Sequence, residues 1–107
     1  MSEQTFVQGD SAPPITGALK NVDGTPFDLT NITSVRFQMR RQSDRRYTVD
    51  AVAAIVGSPT SGSVKYVWAA NDLDVVGDDY IGQWELHYSD GKIQTTSPAN
   101  TITIRKQ

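Results

Sequence analysis

The chain has 107 residues, a hydrophobic share of 37% and a formal net charge of −2 at pH 7. This length suits one folded domain with its own core, so the sequence predicts a single domain over residues 1–107. The slightly acidic charge disfavours nucleic-acid binding, which usually needs an excess of Lys and Arg. The absence of cysteine excludes disulfides and thiolate chemistry.

No apolar run approaches the roughly 18 residues of a membrane span. The N-terminus also lacks the basic and apolar regions of a signal peptide, so we expect a protein that is not secreted. Residues 1–10 are polar apart from Phe6 and Val7, and they predict either a flexible arm or a short edge strand. A position at the chain terminus favours the arm.

The first half of the chain contains two clear strand signals. Pro13-Pro14 leads into an extended segment over residues 15–19, which the prolines confine to a sheet edge. Val35, Phe37 and Met39 then alternate with polar residues, the pattern of a half-buried antiparallel strand. This second strand is therefore a core strand.

The segment after this strand is rich in arginine, at positions Arg40, Arg41, Arg45 and Arg46. Since it lies between two strands, it must form a hairpin tip or a loop. One interpretation is a solvated loop whose charges protect a sheet edge; the other is a docking patch for an acidic partner or for phosphates. The lack of interleaved aromatic residues disfavours a nucleic-acid platform.

The second half predicts further short strands over residues 48–56, 64–68, 80–89, 92–96 and 101–105. Residues 69–79 have at most one turn of helical potential and cross between sheets. Asp90-Gly91 is typical of a two-residue type I′ hairpin turn, and Pro98 ends the strand that follows it. Seven or eight strands without a substantial helix predict an all-β antiparallel sandwich.

Catalytic and metal-binding patterns are weak. His87 is the single histidine, so a Ser-His-Asp triad would depend on it alone. Aspartates cluster between Asp72 and Asp79, but their spacing fits no EF-hand loop, and turn formation explains them more simply. Trp68, Trp84, Tyr66 and Tyr88 suit either core packing or a sugar-stacking platform, and their positions on strand faces that also carry aliphatic side chains favour the core. We therefore expect no enzyme activity, cofactor or metal.

The long strand and the turn before it resemble part of an immunoglobulin-like domain. Gly77 precedes Tyr80, and Gly82 and Trp84 follow, as in the "tyrosine corner" of such domains. The resemblance implies that the Tyr80 hydroxyl bonds to backbone upstream and clamps the crossover between sheets. It implies structural roles for Gly77, Tyr80 and Trp84.

Short motifs follow one another in a fixed order along most of the chain. They are Gly24-x-Pro26-Phe27-Asp28-Leu29-Thr30, Val35-x-Phe37-x-Met39-Arg40, Gly62-x-Val64-x-Tyr66-x-Trp68, Gly77-x-x-Tyr80, Asp90-Gly91-Lys92 and Thr96-x-Pro98. Each is little more than a turn and a strand, but the ordered set is similar to tailed-phage structural domains of the baseplate upper protein (BppU) N-terminal type. The resemblance implies an immunoglobulin-like β-sandwich that joins parts of a virion.

The sequence therefore predicts a bacteriophage virion structural protein, made in the host cytoplasm. We expect a small adaptor or decoration module of the tail, baseplate or connector region, acting through protein–protein contacts in a symmetric assembly. The expected partners are other virion proteins and copies of itself, without nucleic acid or membrane. Candidate docking residues are Arg40, Arg41, Arg45, Arg46 and Phe6. The alternative is a carbohydrate-binding module that contacts host-surface glycans through exposed aromatic rings.

Overall fold

A computed structural model of the chain describes residues 3–96 and 100–107. It confirms the all-β prediction, with eight strands and, among the described residues, no helix beyond one 3₁₀ turn at Pro59–Ser61. The strands are β1 (Glu3–Val7), β2 (Ile15–Ala18), β3 (Ile32–Arg41), β4 (Tyr47–Ile55), β5 (Ser63–Tyr66), β6 (Gly77–Tyr88), β7 (Ile93–Thr95) and β8 (Asn100–Arg105). The predicted break at Pro98 lies outside the described residues. No helix in the described ranges is long and apolar enough to cross a membrane.

The strands form one bent sheet in the order β1-β8-β6-β3-β4-β5-β2, and β7 pairs with β6 beside β8. Strand β4 joins the part of the sheet that contains β3 to the part that contains β5. Its residues 47–53 pair with β3, while Ala54 and Ile55 pair with β5. The result is a nearly closed, sandwich-like or barrel-like sheet, and the immunoglobulin-like topology stays a prediction.

The N-terminal segment differs from the favoured interpretation. Residues 3–7 are the edge strand β1, which pairs in parallel with β8 and sets Phe6 opposite Ile104. Phe6 is 4% exposed, and its ring lies edge-on to Trp68 with centroids 5.0 Å apart. The flexible arm is therefore wrong for these residues, because burying one large aromatic side chain offsets the entropy of ordering a short strand. Phe6 is also not available as a docking residue.

The core is built between β3 and β6. Phe37 lies opposite Trp84 in the strand register, with ring centroids 4.9 Å apart, and Val35 lies opposite Leu86. All four side chains are at most 3% exposed. Full burial of such a side chain contributes roughly 1.5–3 kcal/mol. The alternation seen in the sequence thus produces a rigid central pair of strands, which fixes the loops at their ends.

The hairpin at Asp90-Gly91 has a different turn from the predicted type I′. Gly91 has a φ of 90°, but Asp90 does not have a positive φ, which a type I′ turn requires at both central residues. The amide of Gly91 donates to the Tyr88 carbonyl at 3.0 Å, and the amide of Tyr88 donates to the Lys92 carbonyl at 2.8 Å. This is a three-residue loop with a bulge. The Asp90 carboxylate accepts the Lys92 amide at 3.0 Å and holds the loop in this form.

Candidate interaction surface

The arginine-rich loop between β3 and β4 divides into two pairs of side chains. Arg40 is half-buried and its Nη1 donates to the backbone carbonyls of Arg41, Gln42 and Asp44 at 3.2, 3.4 and 3.1 Å. A guanidinium group has several donors in a rigid plane, so one side chain can satisfy several carbonyls of a tight loop. Arg40 therefore shapes the hairpin tip instead of presenting a charge to a partner.

Arg41 is held by the start of β6. Its Nη2 lies 2.8 Å from Asp79 Oδ1, and its guanidinium carbon lies 5.2 Å from the centroid of the Tyr80 ring. The hydrogen bond to Asp79 raises the pKa of Arg41 above its usual value. A Cβ atom at Gly77 would lie 2.8 Å from Arg41 Nη2 and 3.0 Å from the Tyr80 ring. Gly77 thus leaves space for Arg41 and the Tyr80 ring, and its φ is not in the positive range that would require a glycine.

Arg45 and Arg46 are the outer pair, and both are exposed. Among the described residues, neither side chain takes part in a salt bridge or a side-chain hydrogen bond. Their backbone is ordered nonetheless: Asp44 Oδ1 accepts the Arg46 amide at 3.0 Å, and the Asp44 amide donates to the Arg41 carbonyl at 3.0 Å. The loop therefore presents two unpaired cations on a fixed backbone.

The aspartates of the crossover after β5 and of the first residues of β6 also divide into bound and unbound side chains. Asp72 Oδ2 accepts the Tyr66 hydroxyl and the Ala69 amide, the latter at 2.8 Å. Burial, together with this hydrogen bond, raises the pKa of Tyr66 to about 12. Asp79 is paired with Arg41. Asp74 and Asp78 are exposed and make no salt bridge within the described part of the chain. That part contains no cluster of His, Cys, Asp and Glu suited to a metal ion.

Tyr80 links this crossover to the sheet. It is 2% exposed, and its hydroxyl donates to the Val75 carbonyl at 2.9 Å. Burial raises the pKa of Tyr80 above its usual value, so the donor stays protonated. The side chains of Val75 and Val76 are 58% and 42% exposed. A buried tyrosine thus holds a pair of exposed valines beside Asp74 and Asp78.

A polar network on the face of β3 and β6 opposite the core was not foreseen from the sequence. Gln38 is only 6% exposed, and its Nε2 donates to Asp50 at 3.4 Å and to Glu85 at 3.3 Å. Its Oε1 accepts from Gln83 at 2.9 Å. The His87 Nε2 atom lies 2.7 Å from Glu85 Oε1. These contacts link neighbouring strands, and the polar residues that alternate with the core residues around Gln38 are the signal in the sequence that could have indicated them.

The amino-acid sequence matches the model of a known family. The family model of the BppU N-terminal domain matches residues 2–104. The chain belongs to this family. The predicted resemblance is confirmed over nearly the whole chain, and the family is one of phage baseplate-associated structural domains. A search of curated proteins finds no match.

This BppU N-terminal domain has a groove of 490 Å³ between β2, β6 and β7. Its lining includes Leu19, Phe27, Trp84 and Leu86. Trp84 and Trp68 are nevertheless only 3% exposed, and Trp68 packs among other aromatic rings. Stacking on a sugar needs an accessible ring face. Neither tryptophan offers such a face.

Proposed function

We propose that the chain is a non-enzymatic adaptor module of the virion that acts through protein–protein contacts in a symmetric assembly. Its family membership supports the setting, because the family is one of phage baseplate-associated structural domains. Symmetric assemblies repeat each contact many times, so a weak contact on a small module is sufficient. The partners in this proposal are other virion proteins and copies of the chain.

The observation that carries the proposed contact is the pair of unpaired cations at the β3–β4 hairpin. Arg45 and Arg46 are exposed on a backbone that Arg40 and Asp44 hold by hydrogen bonds. Because the loop is already ordered, little conformational entropy is lost when a partner binds it. Exposed charges around a contact steer encounter and set specificity. These properties suit a docking site for a protein surface that places acidic side chains opposite this loop.

The burial of Trp68 and Trp84 argues against the carbohydrate alternative. Trp68 and Trp84 are each 3% exposed, so ring stacking would require a rearrangement of the core. The two functions differ in a simple fluorescence measurement. A buried tryptophan emits at short wavelength and does not respond to an added sugar, whereas a stacking tryptophan shows a saturable shift.

The proposal is tested by mass spectrometry of purified virions of the phage that encodes the chain. We expect peptides from the chain at a stoichiometry that matches a ring or another symmetric array. Tryptophan emission of the purified protein is then titrated with a panel of host-wall glycans, where we expect no shift. Absence of the chain from virions, or a saturable shift with one glycan, would overturn the proposed function.

A further inference from the structure

One end of the molecule carries two exposed regions of opposite charge. The basic lobe consists of Arg45 and Arg46, and the acidic lobe consists of Asp74 and Asp78. In both the arginine-rich loop and the acidic crossover, the remaining charged side chains are bound internally, as shown for Arg41 and Asp79. Arg45, Arg46, Asp74 and Asp78 are therefore the side chains that form no salt bridge in the described part of the chain, although Asp78 lies close enough to Arg41 to help raise its pKa.

The two lobes lie side by side, because the segments that carry them are joined directly. The Gln42 amide donates to the Asp79 carbonyl at 2.8 Å, and Arg41 forms its ion pair with the same residue at 2.8 Å. The boundary between the lobes is thus a hydrogen-bonded contact between the loop and the start of β6. The loop that carries Arg45 and Arg46 is therefore hydrogen-bonded to the residue that follows Asp78.

Two apolar side chains lie within the acidic lobe. Val75 and Val76 are 58% and 42% exposed, although the Val75 carbonyl is anchored by the buried hydroxyl of Tyr80 at 2.9 Å. Exposed apolar residues with charged neighbours are typical of the centre and rim of a protein contact. Tyr80 therefore presents these valines on an ordered backbone.

We propose that this end of the molecule binds the same end of a second copy of the chain about a two-fold axis. In such a contact the basic lobe of each copy faces the acidic lobe of the other, because a two-fold axis pairs residue i with j and j with i. The valines of the two copies then lie within the contact. This inference rests on the proposed function, and it assigns one of the partners in that assembly.

Charge complementarity favours a second copy over an unrelated partner. A uniformly acidic surface would attract Arg45 and Arg46 but would be repelled by Asp74 and Asp78, and a uniformly basic surface would have the opposite problem. The same end of another copy matches both lobes at once. Two-fold pairing therefore places an oppositely charged region opposite each of the four exposed charges.

The test uses sedimentation of the full chain and two charge-reversed variants. The all-acidic variant carries Arg45→Glu and Arg46→Glu, and the all-basic variant carries Asp74→Lys and Asp78→Lys. We expect the unchanged chain to form a dimer at concentrations of roughly 0.01–1 mM, as suits a contact of modest area. Each variant alone should associate at least about tenfold more weakly, because like charges then face each other. An equimolar mixture of the two variants should restore the dimer as a heterodimer.

A matched control carries Lys20→Glu and Lys92→Glu, which makes the same change of charge as the all-acidic variant at two exposed lysines outside the two lobes. This variant should dimerise like the unchanged chain. If a reversed variant unfolds, Arg45→Gln with Arg46→Gln, and Asp74→Asn with Asp78→Asn, replace it, with weaker association again expected.

A chain that stays monomeric across this range, or a dimer unaffected by either reversal, would overturn the two-fold contact. So would a mixture of the variants that fails to pair. None of these results shows whether the chain is present in virions. The proposed function is tested separately, by mass spectrometry of purified virions.

Discussion

The hydroxyl of Tyr80 gives the sharpest test of how the crossover is held. Tyr80→Phe removes a hydrogen bond of 2.9 Å to the Val75 carbonyl and leaves the buried ring in place beneath Arg41. A buried hydrogen bond contributes about 0.5–1.5 kcal/mol net, and a carbonyl left without a donor adds a desolvation cost. Because Val75 itself is well exposed, water can reach part of this carbonyl, so we expect a total loss of about 1–2 kcal/mol.

Equilibrium unfolding in urea, followed by tryptophan fluorescence, measures this loss directly. The unfolding midpoint should fall while its slope with denaturant stays constant, since the buried area hardly changes. In thermal unfolding of a domain of about this size, each kcal/mol of lost stability should lower the melting temperature by roughly 4–8 °C. Tyr88→Phe is the matched control, because its hydroxyl donates to the exposed Gln94 side chain at 2.6 Å. If the two variants lose equal stability, or if Tyr80→Phe loses none, Tyr80 does not clamp the crossover.

Four other substitutions test the packing and the Tyr66 hydroxyl. Gly62 and Gly57 have φ values of 69° and 68°, but only at Gly62 would a Cβ collide, at 2.5 Å from the Leu19 carbonyl oxygen. Gly57→Ala should cost about 1 kcal/mol and Gly62→Ala at least about 3 kcal/mol in urea unfolding; equal costs would contradict the collision. The pKa of Tyr66 rises from 10.0 to about 12 on folding, so its contribution to stability is complete below pH 10 and is lost as the pH rises towards 12. Unfolding at several pH values should therefore show Tyr66→Phe less stable than the unchanged chain by on the order of 1 kcal/mol at neutral pH, and this difference should shrink above pH 10; a constant difference would refute the link. Phe6→Ala should cost about 3 kcal/mol by leaving a cavity beside Trp68, and a stability equal to that of the unchanged chain would show that the N-terminal strand is not part of the core.

The strands could be predicted from the sequence because their signals are local. Val35, Phe37 and Met39 alternate with polar residues, and this alternation alone fixes both the strand and its buried face. Turn residues such as Gly91 also locate the hairpins correctly. Their detailed geometry was less readable, since the Asp90 carboxylate bonds to the Lys92 amide and selects a three-residue loop over the shorter turn.

The sequence could not show which charged side chains are bound internally and which are exposed, because this depends on contacts between distant segments. Arg41 and Asp79 are 38 residues apart and meet only after β3 and β6 have paired. Nothing local distinguishes Arg41 from Arg45 in the sequence. Phe6 shows the same limit, since its partner Trp68 lies on a different part of the chain. Composition therefore pointed to the arginine-rich loop as a whole, and only the fold separates its structural arginines from its exposed ones.

The central claim is that the exposed arginines of the β3–β4 loop mediate docking in the virion. The direct measurement is incorporation of the chain carrying Arg45→Glu and Arg46→Glu into assembled phage particles, with its melting temperature measured in parallel. The control is Lys20→Glu with Lys92→Glu, which makes the same change of charge at two exposed lysines outside this loop. We predict that the arginine variant melts like the unchanged chain but is lost from particles, while the control is incorporated normally. Normal incorporation of the arginine variant would contradict the claim.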